Sequence, residues 1–303
     1  MNTSEARKKK LGHAISPQFM RKLQDGEIYA PIVDQVRKDK SLDMQFRGNY
    51  KSVDIYFKGK VMRLKQNGAL KIDGDYTRGL QVPEKLGGPK DVASFLKKLP
   101  QIKDKMSLHE NQRIEAEYEQ LIIRANNLET GINSDYVILD RQYQYREEGR
   151  KQERWDLVAV YWPNKKLCHG SLAVIEVKQG NKVGDISDQV SRYNKYLKTN
   201  MPTICSDMEK VLKQKLDLGL ITRFAGDDEQ SRARRNNLNK LSINTSIEHT
   251  EVLIYLVDYN PKGNLTKNAM SVLPSQNRIR QFKGGFAMWR GNSEPFHQIA
   301  VTK

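Results

Sequence analysis

Two carboxylates and one ammonium group are placed in this sequence where they can act together. Asp156 opens an apolar run that ends at residue 160, and Glu176 and Lys178 close a second run that begins at residue 172. Two carboxylates, completed by water and phosphate oxygens, are a usual way for proteins to hold magnesium. A lysine beside them can orient a water molecule or offset charge on a phosphate under attack. These residue types therefore suit metal-dependent hydrolysis of a phosphodiester.

Both apolar runs alternate in the way that β-strands do. A period of two puts Glu176 and Lys178 on the same face of the second strand, which is otherwise apolar. The segment between the runs, residues 163–170, has turn composition, so we predict an antiparallel hairpin. Folding the chain symmetrically about this turn places Asp156 opposite residue 177, within a residue or two, because the loop geometry sets the register.

An alternative is that Glu176 and Lys178 form an ordinary ion pair at an exposed end of a sheet. Two observations favour a chemical role. Glu176 and Lys178 are the two ends of the only Asp/Glu-x-Lys triplet in this highly charged chain. It also lies at the end of the most strand-like apolar run, and the preceding strand supplies a matching acid, Asp156.

The net charge and composition of the chain favour a polyanionic binding partner. The chain has 303 residues, a net charge of +16 and 38% apolar residues. We expect nucleic acid as the partner ahead of an anionic membrane. No apolar run approaches the roughly 20 residues that span a bilayer, and no apolar segment follows the basic N-terminus as in a secretory signal. The two cysteines lack metal-binding spacing. We therefore expect a cytoplasmic protein that works with nucleic acid and not with a membrane.

The periodicity along the chain predicts two domains. Helical patterns near the N-terminus give way to a small β-meander with a hairpin turn at Asn67-Gly68. Residues 91–99 favour a short helix and residues 100–107 favour a linker. We therefore predict a smaller α+β domain over residues 1–105, which selects the substrate or a partner, and a larger domain over residues 106–303.

The larger domain begins with the strongest helical pattern in the chain. Its predicted elements are, in order, a helix over residues 110–128, a strand over 136–145, the two strands of the hairpin, a helix that begins at Asp185 and a strand over 251–259. The first helix includes Glu115, Glu117 and Glu119. The second includes Gln189 and Tyr193, which are four residues apart and so neighbours on the helix surface.

This order of elements, with Asp156, Glu176-x-Lys178 and an acidic first helix, resembles the PD-(D/E)xK nuclease superfamily. The Gln189-x-x-x-Tyr193 pattern is similar to that of RecB-type nuclease domains and NucS-type endonucleases. The proline of the leading pair is a tryptophan here, a departure that is common in the superfamily. The resemblance covers about half of the chain. It implies an α/β fold with a restriction-endonuclease-like core, αβββαβ, in which helices flank a mixed sheet.

The resemblance also implies how a metal would be held. Asp156 and Glu176 would ligate Mg²⁺, for which Mn²⁺ can substitute, and the carbonyl group of Val177 would add a ligand. Glu115 would bind a metal-bound water or a second metal. The other two acids of its helix, Glu117 and Glu119, compete for that role.

The remaining residues of the resemblance would act on the substrate. Lys178 would position or activate the attacking water, and Gln189 and Tyr193 would steady the substrate phosphate or Lys178. A polar segment over residues 226–237, with three arginines, is predicted to be a loop near the phosphate.

We therefore predict a Mg²⁺-dependent nuclease that hydrolyses phosphodiester bonds of DNA, in defence against foreign DNA or in repair. Two alternatives stay open: a nuclease fold that binds nucleic acid without cutting it, and a nuclease that acts on RNA. The intact set of two acids and a lysine favours catalysis. A lipid-binding protein would need a basic amphipathic helix with bulky apolar residues, which we do not find. A homodimer also stays open, because cutting both strands often takes two active sites.

Overall fold

The computed structural model describes residues 12–108, 114–129, 134–145, 153–179, 186–257 and 279–281. The fold is α/β, with a four-stranded antiparallel sheet and a six-stranded mixed sheet. Every helix in these ranges is too short or too polar to cross a lipid bilayer. The residue expected to begin the second predicted helix, Asp185, lies outside the described residues, as do the last two residues of the strand predicted over 251–259.

The first lobe comprises residues 12–108. Its helices are α1 (Pro17–Leu23), α2 (Ala30–Lys38), α3 (Gly74–Thr77) and α4 (Pro89–Leu108), and its strands are β1 (Leu42–Arg47), β2 (Ser52–Phe57), β3 (Lys60–Lys65) and β4 (Leu70–Lys71). The strands pair in chain order and form the predicted meander. The Ser16 hydroxyl caps α1 by accepting a hydrogen bond from the amide of Phe19.

The segment predicted to be a linker is helical, so that prediction is wrong. α4 runs without interruption to Leu108 and includes Pro100. A proline inside a helix removes a hydrogen bond and costs about 3 kcal/mol, which is why the sequence suggested a break. Leu99, Ile102 and Met106 are buried on both sides of the proline, and their burial offsets this cost.

The second lobe has the predicted order of elements, with an additional helix and strand before the last predicted strand. Its helices are α5 (Ile114–Asn127), α6 (Ile186–Asp217) and α7 (Glu229–Asn239), and its strands are β5 (Tyr136–Tyr145), β6 (Glu153–Tyr161), β7 (His169–Gln179), β8 (Ser242–Asn244), β9 (Glu251–Val257) and β10 (Ile279–Gln281). The strands lie in the order β10-β9-β7-β6-β5, and β8 pairs with the start of β7. The segment predicted to be a polar loop is mostly helix α7, whose N-cap is Asp228.

The mixed sheet is covered on both faces. A continuous apolar core joins the first lobe, α6 and one face of the sheet, where Val158 and Val174 lie. A smaller core, which includes Ile122 of α5 and Leu157, covers the other face. This layered arrangement leaves the ends of the strands as the places where polar side chains can gather.

A polar interface lies beside the core where the two lobes meet. Arg47 of β1 donates hydrogen bonds to Asp140 at 2.6 Å and to the carbonyl of Arg141 at 2.5 Å. Lys215 of α6 donates to the side-chain oxygen of Gln45 at 2.9 Å. All of these side chains are buried. The first lobe is therefore joined to the second by buried charges as well as by apolar packing.

Candidate active site

The β6–β7 hairpin brings the two predicted carboxylates to one end of the mixed sheet. Its antiparallel register pairs Leu157 with Ile175, which places Asp156 across from Glu176. The amide of Val177 donates a hydrogen bond to Asp156 Oδ2 at 2.8 Å. The predicted hairpin is thus confirmed, and its register falls one residue from the central prediction.

Glu176 is held by two donors. Lys178 Nζ lies 2.8 Å from Glu176 Oε1, and the hydroxyl group of Tyr193 donates to Oε2 at 2.5 Å. Burial raises the pKa of Tyr193, and the carboxylates of Glu176 and Asp156 raise it further. Tyr193 therefore stays protonated at neutral pH and continues to donate to Glu176.

Asp156 is buried among other acids. Burial raises the pKa of Asp156 well above its ordinary value, and the carboxylates of Glu176 and Glu119 raise it further. The Val177 amide and the positive charge of Arg154 act in the opposite direction. Because like charges disfavour ionisation, this carboxyl group would ionise more readily with a cation beside it.

These residues fit a hard divalent cation that keeps most of its water. In the described ranges, groups of three or more His, Cys, Asp or Glu side chains able to hold a metal ion are absent. The site therefore offers a pair of carboxylates, Asp156 and Glu176. Mg²⁺ is usually bound through one or two carboxylates together with waters and substrate phosphates, so the pair is a sufficient donor set.

Glu119 is the acid of α5 whose charge acts on this site. It is 2% exposed and accepts hydrogen bonds from Arg141 Nε at 2.7 Å and Gln142 Nε2 at 3.3 Å. Burial raises the pKa of Glu119, although Arg141 opposes this. Glu115, assigned from the resemblance, lies about one turn earlier on the helix and is partly buried. Glu117 is also partly buried and lies two residues before Glu119, on another side of the helix.

Sequence reasoning missed the two residues that hold Glu119. β5 is irregular between Ile138 and Asp140, and Gln142 has a φ of 54°. Such irregularities redirect side chains and are common beside active sites. The available signal was the pair of charged residues, Asp140 and Arg141, that directly follows the apolar run of residues 136–139 in this strand.

The predicted pair on α6 is only partly in contact with the acids. Tyr193 bonds to Glu176, whereas the side-chain oxygen of Gln189 is buried without a hydrogen-bond partner among the described residues. Aromatic packing fixes Tyr193 in place: its ring meets Trp155 edge-on with centroids 6.0 Å apart, and Trp155 stacks on Tyr143 at 5.0 Å.

A basic and aromatic strip leads from the first lobe to the acids. Its residues are Arg63, Tyr50, Gln144 and Arg154, and we refer to them as the approach strip. Arg63 lies over the Tyr50 ring at 5.5 Å, and the Tyr50 hydroxyl donates to Gln144 at 3.0 Å. Gln144 of β5 lies opposite Arg154 of β6 in the antiparallel register, and Arg154 is two residues before Asp156. Tyr50 is 46% exposed, so its ring is open to a ligand.

Comparisons of the chain with protein-family models, with curated proteins and with solved structures found no match. A functional interpretation therefore depends on the chemistry of the site itself. Its defining features are the paired buried carboxylates, the lysine and tyrosine that bond to one of them, and the approach strip.

Proposed function

We propose that this protein is a Mg²⁺-dependent nuclease that hydrolyses phosphodiester bonds of DNA. The observation that supports this most directly is the placement of Asp156 and Glu176 across from one another at a strand end, with Lys178 bonded to Glu176. Two buried carboxylates that act on each other's ionisation are costly unless a cation accompanies them. A binding module without catalysis has no evident need for this arrangement.

The fold is compatible with this proposal. Apart from α7 and β8, which precede β9, the elements follow the order α5, β5, β6, β7, α6, β9, and this order supports the proposed restriction-endonuclease-like core. β9 lies beside β7 and parallel to it, so the sheet is mixed. The carboxylates lie on the central strands β6 and β7, which gives them a rigid support.

The cation would be held by Asp156, Glu176 and the carbonyl group of Val177. When bound, Mg²⁺ supplies positive charge that polarises the phosphate and stabilises the charge that develops there. Tyr193 keeps Glu176 oriented toward this position. Glu119, fixed by Arg141, adds negative charge that strengthens the attraction for a cation.

Lys178 is the residue that we assign to the attacking water. Glu176 Oε1 fixes the ammonium group beside the carboxylates. An ammonium group has three donors and no acceptor, so one N–H can bond to Glu176 while another donates to a water molecule. This orients a lone pair of the water toward the phosphate, which is the positioning role that hydrolysis requires.

The approach strip and the net charge of +16 support nucleic acid as the substrate. Arg154 is exposed and can bond to backbone phosphates, which position a strand without regard to its sequence. Arg63 donates to Asp54 through Nε and Nη2, so it contributes mainly positive charge to the strip. The exposed ring of Tyr50 can stack on an unpaired base. A strand along this strip would deliver a phosphate to the acids.

Cleavage assays with defined metals test the proposal. We expect wild-type protein to cut DNA only with Mg²⁺ or Mn²⁺, and Asp156→Ala and Lys178→Ala to reduce cutting by at least about 100-fold while retaining DNA binding. Lys198→Ala, at an exposed lysine of α6, is the matched control and should cut normally.

Equal cutting by wild type and both active-site variants would refute the proposed function. Tight DNA binding with no cutting under any divalent metal would favour the non-catalytic binding module. RNA and single-stranded DNA in the same panel define the substrate class.

A further inference from the structure

A second group of cations lies at the end of the mixed sheet opposite the acids. Lys165, Arg223 and Arg234 form this group, which we refer to as the basic cluster. Arg223 Nη1 donates to the carbonyl of Tyr136, the first residue of β5, at 2.9 Å. From Tyr136 to Gln142 beside Glu119, β5 extends roughly 20 Å. The basic cluster is therefore separate from the candidate active site.

The guanidinium group of Arg223 is buried with unused donors. Arg223 is 4% exposed, and its Nε and Nη2 atoms have no hydrogen-bond partner among the residues that the structure describes. Buried donors in proteins are nearly always bonded, so each exception needs an explanation. Nε and Nη2 form one edge of the guanidinium fork, the geometry that binds two oxygens of a phosphate or carboxylate.

The surroundings of Arg223 have an excess of positive charge. Lys165 Nζ bonds to Asp135 at 3.1 Å, and Asp135 is the carboxylate that raises the pKa of both Lys165 and Arg223. Burial and the charge of Arg234 lower the pKa of Arg223 to about 10 despite Asp135. Burial also lowers the pKa of Lys165, and both arginines add to this effect. Asp135 thus offsets the charge of Lys165 and Arg223, and Arg234 adds a further positive charge beside them.

The cluster is open to solvent on one side. The side chain of Asp135 is 43% exposed and that of Lys165 is 14% exposed. Arg234 is partly exposed on α7. Among the residues that the structure describes, it makes no hydrogen bond or ion pair that a ligand would have to displace. The charges of Lys165 and Arg234 both act in the immediate surroundings of Arg223, so an anion that enters the cluster from its exposed side would lie among three cations.

We propose that the basic cluster binds a phosphate group. Arg223 holds two of its oxygens through Nε and Nη2, and Lys165 and Arg234 neutralise its charge. The phosphate is either a free oxyanion or part of a nucleic-acid backbone, and both present the same tetrahedral oxygens. This assignment is independent of the nuclease proposal, since it uses none of the residues near the acids.

Calorimetric titration with inorganic phosphate, at constant ionic strength, tests the site in the full-length protein. We expect saturable binding to wild type and a dissociation constant at least about tenfold weaker in Arg234→Gln, which loses one charged contact. Arg232→Gln, at an exposed arginine of the same helix, is the matched control and should bind like wild type. Arg223→Lys keeps the charge but removes the fork, and it should also weaken binding.

A parallel titration with a short oligothymidylate, with and without inorganic phosphate, identifies the source of the phosphate. A weaker affinity in Arg234→Gln but not in Arg232→Gln, with competition by inorganic phosphate, would assign the site to a nucleic-acid backbone. An effect on inorganic phosphate alone would assign it to a free oxyanion. The absence of phosphate binding in wild type, or equal binding by wild type and Arg234→Gln, would overturn the proposal.

Discussion

The carboxyl group of Asp156 links the chemistry of the site to the stability of the protein. It is buried, it lies across from Glu176, and its pKa is well above the ordinary value. The folded state therefore binds a proton at this position more tightly than the unfolded state does. Stability without metal must decrease as the pH rises from about 4, the ordinary value, toward the raised pKa of Asp156.

Asp156→Asn should remove this loss. The amide has no charge to bury and keeps an oxygen to accept from the Val177 amide. We predict that the variant, without divalent metal at pH 8, gains at least about 1 kcal/mol in free energy of unfolding over wild type. The gain should vanish near pH 4. Urea unfolding at both pH values measures it, and equal stabilities at pH 8 would contradict it. Added Mg²⁺ should stabilise wild type alone.

Tyr193→Phe tests whether Glu176 is positioned by the tyrosine hydroxyl. The ring remains packed against Trp155, so we expect a folded protein that is about 1.5–3 kcal/mol less stable, since a buried carboxylate loses a donor. The Mg²⁺ concentration that gives half-maximal cleavage should rise roughly tenfold, as for other groups that orient metal ligands. An unchanged Mg²⁺ requirement would mean that the hydroxyl contributes only to stability.

Residue identities near the acids were predictable only where local geometry decides them. The two-residue period of a strand fixes the face of Glu176 and Lys178, and a short turn fixes the register of Asp156. The choice of Glu119 over Glu115 depends on how α5 is rotated against the sheet. Tertiary packing sets that rotation, and the sequence of one helix does not encode it.

A buried ion pair joins helix α5 to strand β5. Arg141 is fully buried, bonds to Glu119 at 2.7 Å and also donates to the carbonyl of Ala116. Its guanidinium group lies over the ring of Tyr56 at 4.3 Å, so the first lobe takes part as well. This arginine therefore helps to hold α5 beside the acids, together with Asn127, which exchanges two hydrogen bonds with the backbone of Ile138.

A double-mutant cycle measures that dependence. Arg141→Met should cost about 3–5 kcal/mol, because Glu119 would be left buried and unpaired. Adding Glu119→Gln should recover part of the loss, with a coupling energy above about 1 kcal/mol. The exposed pair Arg78 and Asp75, which is 2.8 Å apart, is the control and should couple by less than ~0.5 kcal/mol. Similar coupling in the two pairs would show that burial does not matter here.

Helices and strands could be predicted from the sequence where one hydrophobic period ran through the whole element. The hairpin, α5 and β9 were predicted for that reason. The helical continuation of α4 past Pro100 and the helix α7 were missed, because proline and polar composition normally indicate a break. In α4, the buried residues after the proline outweigh the local preference, and only the packed structure reveals them.

The two lobes share one interface at the scale of the whole molecule. The amides of His13 and Ala14 donate to Asp207 of α6 at 2.6 and 3.2 Å. His13 also pairs with Asp140, which in turn bonds to Arg47. Because these bonds cross between the lobes and lie beside a shared apolar core, separating the lobes would break the bonds and expose that core to water.

Calorimetry of the full chain should therefore show one cooperative unfolding transition. Asp207→Ala leaves two amides without acceptors and should lower the melting temperature by roughly 2–4 °C or more. Asp217→Ala, at an exposed position of the same helix, is the control and should have little effect. Two resolved transitions, or a native-like spectrum from residues 12–108 alone, would contradict this prediction.

The salt-bridged junction between the lobes also limits how this protein can be recombined. A chimera that received only the first lobe would gain Asp54 and Arg47 without Asp140 to pair with, and the recipient surface would have to supply it. Exposed residues such as those on β3 can be exchanged, because they take no part in the junction. Domain-shuffling experiments should therefore keep residues 12–257 together and vary only exposed surface residues.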